Sequence, residues 1–361
     1  MRICYLTQYL DPMTGGGRYA SDLVLGVKKA GHEVIILKEE DDGFAGEAIL
    51  KRGPGLIFSA LRVRRRIENC DIIHALDGYP YAVMAYIANL FCGKKLVVTA
   101  QGTYAIAPLY SPKTKYILER AYSSADVVTA ISRYTKNELL KKIKRRDVEV
   151  INHGINLSRF EGESSRISNQ RENFIMSVGG LKKRKGHHIS IPAFALAKKK
   201  IPNLKYKIVG DQGDVSYVRE LKSLAAKYGV TSDIEFMSWI PDEKLMELYR
   251  KAKIFILTSV NCDHHIEGFG LVFLEAASAG APVIGTFGNG IEDAVRNGYN
   301  GILVSQNDIA KTASAIIEIA SDETKWDTMS RNSFLLAKEH DLNLVIKKYV
   351  AIYARTLSQN S

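Results

Sequence analysis

Short runs of β-branched residues alternate with longer helical patterns along almost the entire chain. In the first half the strand-like runs are RICYLTQY, HEVIIL, DIIHAL, KLVVTA, DVVTAIS and VEVINHG. In the second half they are FIMSVGG, LKYKIVGD, IEFMSWI, IFILTS, APVIGT and GILV. Parallel strands need a crossover segment between them, and that segment is usually a helix. The alternation therefore predicts an α/β fold made of parallel βαβ units.

A polar segment separates the two series of strands. EGESSRISNQREN, residues 161–173, has the composition of an interdomain linker. A chain of 361 residues also exceeds the usual size of one domain, about 100 to 200 residues. We therefore expect two Rossmann-like parallel-sheet domains that face a central cleft, with ligands at the carboxyl ends of the strands. The predicted N-terminal domain spans 1–162 and is completed by a helical segment at about 342–361, whereas the predicted C-terminal domain spans 172–341.

Charge and cysteine content narrow the choice of partner and compartment. The chain has 50 Lys and Arg against 39 Asp and Glu, a net charge of +11, which favours anionic small molecules or an anionic membrane surface. No zinc-finger spacing or RNA-binding signature is present, so nucleic acid is not expected as a partner. The four cysteines form no CxxC pair, and no signal-peptide pattern or membrane-spanning run is visible. We expect a cytoplasmic protein.

A run of glycines follows the first predicted strand. In TGGGRYASDL, residues 14–23, Gly16 and Gly17 allow a loop whose backbone N–H groups approach a phosphate closely. A plain flexible loop between strand and helix is the alternative. A nicotinamide-binding fingerprint is not matched, because residues 9–14 separate the strand from the glycines and the glycines are consecutive.

At two further strand ends, glycines are followed by charged residues. SVGGLKKRKG, residues 177–186, ends a strand and opens a helix with four consecutive cations, Lys182 to Lys185. Cations beside a helix N-terminus suit a diphosphate, and the alternative is a solvated surface run. In IVGDQGDVSYVREL, Gly210 and Asp211 end another strand, where a turn with a helix cap explains the pattern equally well.

The stretch HIEGFGLVFLEAASAG, residues 265–280, places two carboxylates around a turn. Gly268 and Gly270 allow a tight turn, and the helix predicted from Leu271 presents free N–H groups and its positive dipole end to an anion. Glu267 precedes the turn and Glu275 lies within the helix, so both can accept hydrogen bonds from ligand hydroxyls. Two unrelated surface acids are the alternative.

The motifs of both halves closely resemble those of the family-4 retaining glycosyltransferases, which have the GT-B fold. The second half carries VGG, GDQGD, FMSWIPDEKLMELYRKAKIFILTS, EGFGLVFLEAASAGAPVIGT, GNGIEDAV and NGYNGILV. The first half carries GGGRYASDLVLGVKKAGHEV, VVTAQGT, ADVVTAISRYTKNEL and VINHGINLSRF, which are similar to the acceptor-side lobe of the family. The order and spacing match over nearly the whole chain.

The resemblance implies a role for each matching position. Glu275 would hold the ribose hydroxyls of a UDP- or GDP-type sugar donor, and Glu267 would lie beside the transferred sugar. Lys185 and Arg184 would neutralise the diphosphate leaving group. The departing phosphate oxygen would take the acceptor proton in a front-face reaction that needs neither metal nor cofactor. Further donor contacts would come from the following residues: Gly16, Gly17, Gly180, Gly210, Phe236, Gly268, Phe269, Gly270 and Leu271.

Two positions depart from the family pattern. Gly180 stands where members usually have an arginine that binds the diphosphate, and Arg184 or Lys182 is able to substitute. Gln101 stands in VVTAQGT where members usually have a histidine near the donor sugar. Glutamine donates and accepts hydrogen bonds without titrating, so we count Gln101 among the candidate catalytic residues.

Two other segments bear on partners. NCDHH, residues 261–265, lengthens the loop before Glu267, and its adjacent histidines lack the usual spacing of metal ligands, so a contact with donor sugar or acceptor is favoured over a metal. LIFSALRVRRRI, residues 56–67, predicts a helix with Arg62, Arg65 and Arg66 on one side. Such a helix, with KKIKRR at 141–146, suits either an anionic bilayer or the outer face of an ordinary Rossmann helix.

The function that we expect is therefore metal-independent, retaining transfer of a sugar from a nucleotide-diphosphate donor to a saccharide or lipid-linked acceptor. Two alternatives stay open: a sugar-nucleotide epimerase with the same two lobes, and a non-catalytic subunit that binds a nucleotide sugar. The protein would be cytoplasmic or peripheral on the inner face of the membrane.

Overall fold

The computed structural model describes residues 1–160, 171–238 and 240–359. Most of the predicted linker, 161–170, therefore lies outside the described residues. Its last two residues belong to a strand, because the first strand of the second half begins at Glu172.

The chain forms two compact units. Unit 1 comprises Met1–Gly154 and Leu342–Ser361, and unit 2 comprises Ile155–Asp341. The first and last segments of unit 2 are in contact, because the Ile155 N–H donates to the His340 carbonyl oxygen over 2.8 Å.

Unit 1 is built on a parallel sheet of seven strands among the described residues, in the order β3-β2-β1-β4-β5-β6-β7. The strands are β1 Arg2–Thr7, β2 Glu33–Lys38, β3 Glu47–Ala48, β4 Ile72–Ala75, β5 Lys95–Ala100, β6 Val127–Ala130 and β7 Val148–Val150. The central strands are buried along most of their length, which explains why they read as continuous apolar runs in the sequence.

Helices cover the sheet of unit 1. They are α1 Gly15–Lys29, α2 Leu56–Arg66, α3 Val83–Asn89, α4 Thr103–Ile106, α5 Lys115–Ser124 and α6 Arg133–Leu140. The expectation of a glycine loop before α1 was wrong, because Gly15 to Gly17 form the first turn of the helix. Thr14 caps this turn by accepting the Gly17 N–H over 3.0 Å. A Cβ on Gly17 would lie 2.0 Å from the Asp11 carbonyl oxygen, so only glycine fits there.

The C-terminal helix of the chain joins unit 1 through buried polar groups. This helix, which we number α13, spans Leu342–Ser358. The Tyr353 hydroxyl lies 2.7 Å from Nδ1 of His74 in β4, and Nε2 of the same ring lies 2.8 Å from Thr99 Oγ1 in β5. The Tyr349 hydroxyl lies 2.7 Å from that of Tyr19 in α1. A buried polar group without a hydrogen-bond partner is costly, so a displacement of α13 that breaks these hydrogen bonds would destabilise the unit. The network therefore fixes one position for the helix.

The buried His74 gives the stability of the fold a dependence on pH. Burial lowers the pKa of His74 to about 3, and its ring is surrounded by the rings of Tyr5, Tyr349 and Tyr353. Below about pH 6.5 the unfolded chain binds a proton at this position and the folded chain does not. This one group is therefore expected to cost stability as the pH falls from about 6.5 towards 3, by up to about 1.4 kcal/mol per pH unit.

The measurement is the free energy of unfolding of wild-type protein and His74→Gln between pH 4 and 7. Glutamine does not titrate, so the difference between the two proteins should shrink as the pH falls. His265→Gln is the matched control, since His265 is exposed. A difference that stays constant with pH, or the same slope change in the control, would show that His74 does not titrate differently in the folded state.

Unit 2 is built on a second parallel sheet, with the strand order β10-β9-β8-β11-β12-β13. The strands are β8 Glu172–Val178, β9 Lys205–Val209, β10 Ile234–Met237, β11 Ala252–Ile256, β12 Val283–Thr286 and β13 Gly301–Val304. The order reverses direction at β8, whose neighbours are β9 and β11. In such sheets ligands bind beyond the carboxyl ends of the strands at this switch point.

Helices lie against this second sheet. They are α7 His187–Lys198, α8 Val215–Lys227, α9 Asp242–Lys251, α10 Leu271–Ser278, α11 Ile309–Ser321 and α12 Glu323–Glu339. One apolar core joins strands and helices, with Ile208 and Ile254 of the sheet packed among Phe194 of α7, Leu221 of α8 and Ile316 of α11.

The predicted α/β class with two Rossmann-like parallel-sheet domains is confirmed, since both sheets are parallel throughout their described pairings. Within the described residues, no helix combines the length and the apolar character needed to cross a bilayer.

Candidate functional site

The connection from β8 to α7 places two cations beside the end of β11. Residues Lys183–Lys185 form a single 3-10 turn that ends at Gly186, which has a φ of +72°. A Cβ on Gly186 would lie 1.8 Å from the Thr258 carbonyl oxygen, so glycine is needed for the turn to approach this segment. The contact is closed by the Val260 N–H, which donates to the Arg184 carbonyl oxygen over 2.8 Å.

Both cations reach the same carboxylate. Lys185 Nζ lies 2.5 Å from Glu267 Oε2, and Arg184 Nη1 lies 3.1 Å from that oxygen. Ser259 Oγ donates to the same oxygen over 3.3 Å. The side chains of Lys185 and Glu267 are only 12% and 11% exposed. Within the described residues the other oxygen, Oε1, has no hydrogen bond, so it is available to a ligand hydroxyl.

The buried ion pair fixes the charge of Glu267. Burial alone would raise the pKa of this carboxyl, but the charges of Lys185 and Arg184 outweigh it and bring the pKa to about 2. Burial lowers the pKa of Lys185, and Glu267 opposes that effect. Glu267 is therefore ionised at neutral pH, where it accepts hydrogen bonds and has no proton to donate.

Glu275 lies in the helix that follows. Gly270 begins α10 with a φ of +83°, a left-handed conformation that favours glycine. Glu275 is 5% exposed, and its carboxylate Oε2 accepts a hydrogen bond from the Tyr249 hydroxyl of α9 over 2.9 Å. Arg159 Nη1 lies 3.5 Å from Oε1, while Nη2 of the same guanidinium lies 2.7 and 2.9 Å from the two carboxylate oxygens of Asp242. Glu267 and Glu275 are thus held by different side chains.

The sequence motifs did not reveal Arg159 and Tyr249 as neighbours of Glu275. These contacts join positions 116 and 26 residues apart, so no local pattern encodes them. The available signal was slight: Arg159 is the one charged residue in INHGINLSRF, and Tyr249 occupies an inward position of the amphipathic α9.

The other predicted donor-side positions surround the ends of β8, β9 and β10. A Cβ on Gly210 would lie 2.1 Å from the Gly179 carbonyl oxygen, so the backbones after β8 and β9 touch. A Cβ on Gly180 would meet nothing closer than 3.8 Å, and this position therefore has room for a side chain. Phe236 is half-buried against the core, and Phe269 is buried, at 1% exposed.

The predicted residues of unit 1 lie at the carboxyl ends of β1 and β5. Gly16 is in the first turn of α1, and a Cβ there would meet only the Tyr9 hydroxyl, at 3.9 Å. The Gln101 side-chain amide donates to the Leu76 carbonyl oxygen, and the Gln101 backbone N–H donates to Asp77 Oδ1 over 3.3 Å. Burial raises the pKa of Asp77 to about 7.

The NCDHH segment forms a tight turn. The Cys262 N–H donates to the His265 carbonyl oxygen over 3.1 Å, and the reverse bond is 2.8 Å long. Across the ranges 1–160, 171–238 and 240–359, no three side chains of the metal-ligating types come together as a metal site would require.

Two family models match the chain in succession. Glycosyltransferase Family 4 matches residues 13–159, and Glycosyl transferases group 1 matches residues 159–335. With the two parallel-sheet units, these matches define the protein as a glycosyltransferase. The chain belongs to the group 1 glycosyltransferases of family 4.

Similar proteins include glycosyltransferases with different names. A GDP-mannose-dependent α-(1-6)-phosphatidylinositol monomannoside mannosyltransferase of Mycolicibacterium smegmatis is 26% identical, over 75% of this chain and 73% of the relative. An N-acetyl-α-D-glucosaminyl L-malate synthase of Bacillus anthracis is 25% identical, over 79% of this chain and 75% of the relative. Anabaena HepE in complex with UDP shares the fold, with a TM-score of 0.85 at 20% identity, covering 98% of this chain and 100% of that one.

Proposed function

We propose that the protein transfers a sugar from a UDP- or GDP-linked donor to a saccharide or lipid-linked acceptor, with retention of configuration and without a metal ion. The observation that carries the proposal is the buried contact of Lys185 and Arg184 with Glu267, beside the switch point of the second sheet. In this proposal unit 2 binds the donor and unit 1 binds the acceptor.

The two cations are proposed to stabilise the leaving group. As the bond between the anomeric carbon and the diphosphate oxygen breaks, negative charge grows on the phosphates, and preorganised cations stabilise such charge most where water is excluded. The Lys185 side chain is only 12% exposed, which supports this role, whereas that of Arg184 is 33% exposed. The acceptor oxygen bonds to the same face of the anomeric carbon, and the departing phosphate oxygen takes the acceptor proton. The two cations supply the charge that a metal would otherwise supply.

The carboxylates are proposed to hold hydroxyl groups. Glu267 would accept a hydrogen bond from a hydroxyl of the transferred sugar through Oε1, because Oε2 already accepts from Lys185 and Arg184. Glu275 would accept the ribose hydroxyls, with Tyr249 and Arg159 fixing the orientation of its carboxylate. A sugar-nucleotide epimerase needs a general acid as well as a general base, and Glu267, with its pKa of about 2, does not supply the acid at neutral pH.

The remaining candidates are proposed to bind the donor mainly through backbone groups. Gln101 would contact the sugar from unit 1 through its amide. The others are Gly16, Gly17, Gly180, Gly210, Phe236, Gly268, Phe269, Gly270 and Leu271. The four cysteines are free, which supports our proposal of a cytoplasmic location.

A thermal-shift panel with UDP, GDP, ADP and NAD, and with the sugar conjugates of the first three, tests the proposal. A ligand that binds only the folded chain raises the melting temperature. We expect UDP or GDP, and the sugar conjugate of that nucleotide, to raise the melting temperature, and we expect NAD to leave it unchanged. A shift with NAD alone, or with none of the panel, would contradict donor binding. A shift without transfer to any acceptor would favour a non-catalytic binding subunit.

A further inference from the structure

The outer face of α2 carries large apolar side chains that are not covered within unit 1. Ile57, Phe58 and Leu61 are 63%, 69% and 54% exposed. The inner face of the same helix includes Ala60 and Val63, which are 1% and 0% exposed. Folding of the unit thus uses only the inner face of the helix. Contiguous apolar side chains on the outside indicate an interaction surface.

A second segment extends this surface. Leu90 and Phe91, just after α3, are 49% and 82% exposed. The Arg64 guanidinium of α2 lies 5.9 Å from the centre of the Phe91 ring, so the two segments are adjacent. We define the apolar patch as Ile57, Phe58, Leu61, Leu90 and Phe91.

Unpaired cations accompany the apolar patch. Arg62, Arg64 and Arg65 are exposed, and within the described residues none of them has a carboxylate within 4.0 Å. Arg66, in contrast, is paired with Glu47 at 2.8 Å. The three unpaired arginines occupy the second half of α2, while Ile57, Phe58 and Leu61 occupy its first half. We define Arg62, Arg64 and Arg65 as the basic rim.

We propose that the apolar patch and the basic rim dock unit 1 on an anionic phospholipid bilayer. The charge of the basic rim is complementary to the phosphates of anionic lipids, and the apolar side chains can enter the boundary between headgroups and acyl chains. A helix that lies in the plane of the bilayer combines both features. This inference goes beyond the transfer reaction and does not depend on it.

Docking through the apolar patch and the basic rim would determine which edge of the unit 1 sheet lies near the lipid. Arg52, which precedes α2, lies over the ring of Tyr104 at 5.4 Å. Tyr104 belongs to α4, which follows β5 at the carboxyl end of the sheet. Docking through α2 therefore brings the carboxyl edge of the unit 1 sheet close to the lipid surface.

Sedimentation of the full chain with vesicles tests the proposal. We expect binding to vesicles of phosphatidylcholine with phosphatidylglycerol, much weaker binding to phosphatidylcholine alone, and loss of binding at high salt. Arg64→Gln with Arg65→Gln should weaken binding about 30-fold, as expected for two cations at an anionic surface. Phe58→Ser with Leu61→Ser should weaken it about tenfold or more.

Matched variants on unit 2 control for general effects of charge and hydrophobicity. Arg219→Gln with Arg331→Gln removes two exposed arginines, and Leu335→Ser removes a leucine that is 50% exposed. These should bind like the wild type. Equal binding by the α2 variants and their controls, or no binding to anionic vesicles, would overturn the proposal. A dimer in gel filtration that Phe58→Ser with Leu61→Ser dissociates would instead assign the patch to a second copy of the chain and overturn it as well.

Discussion

Replacing Lys185 with alanine is expected to lower kcat by about 10² to 10³ at saturating donor. The ammonium group lies 2.5 Å from Glu267 Oε2 and is 12% exposed, so water replaces it poorly. Its proposed partner is the diphosphate, whose negative charge is largest as the sugar leaves, and the loss should therefore fall on kcat more than on the KM for donor. Steady-state release of the nucleoside diphosphate measures both constants.

Lys183→Ala is the matched control for this change. Lys183 lies in the same short turn but is exposed, and we expect its removal to change kcat by less than about twofold. Circular dichroism and the melting temperature of both variants separate a catalytic loss from unfolding, since Glu267 keeps only Arg184 as a cation when Lys185 is absent. Equal kcat values for the two variants would contradict the role that we give to Lys185.

Replacing Glu275 with glutamine is expected to raise the KM for donor by about 10- to 100-fold and to leave kcat within a few fold. Hydrogen bonds to a charged group are worth about 1.5 to 3 kcal/mol each, and the proposed ribose contacts are present before and during the reaction. The fold should survive, because Arg159 retains its contacts of 2.7 and 2.9 Å with Asp242. The measurement is donor titration by kinetics and by calorimetry.

Glu243→Gln serves as the control for Glu275, because it removes an exposed carboxylate of α9 that does not contact Glu275. A fall in kcat with an unchanged KM would indicate that Glu275 acts at the reacting centre rather than on the ribose. An unchanged KM and kcat would remove Glu275 from the donor site.

The local sequence pattern was sufficient to predict strands and helix starts that depend on neighbouring residues alone. KLVVTA coincides with β5, and the helix predicted from Leu271 begins there, because Gly270 has the left-handed conformation that a helix start after a tight turn requires. The start of α1 was misplaced, since the glycines that favour a loop are instead held in a helical turn by Thr14. Propensity was overridden there by a cap and by a close backbone contact.

The partners within the candidate site were less predictable. The sequence placed Lys185 after a strand end and Glu267 before a glycine turn, but it did not show that Lys185 and Arg184 share one carboxylate oxygen of Glu267. It also gave only a slight indication that Tyr249 and Arg159 hold Glu275. The exposure of Ile57, Phe58 and Leu61 was equally unpredictable, because a helical pattern does not show which apolar residues the rest of the unit covers.

The most direct test of the central claim is to follow donor and acceptor by proton NMR in the presence of EDTA, with the donor chosen by the thermal-shift panel and with Lys185→Ala in parallel. We expect release of the nucleoside diphosphate by the wild type, a new glycosidic bond with the anomeric configuration of the donor, and little reaction with the variant. No release with any donor, inversion at the anomeric carbon, or a reaction that EDTA abolishes would contradict metal-independent, retaining sugar transfer.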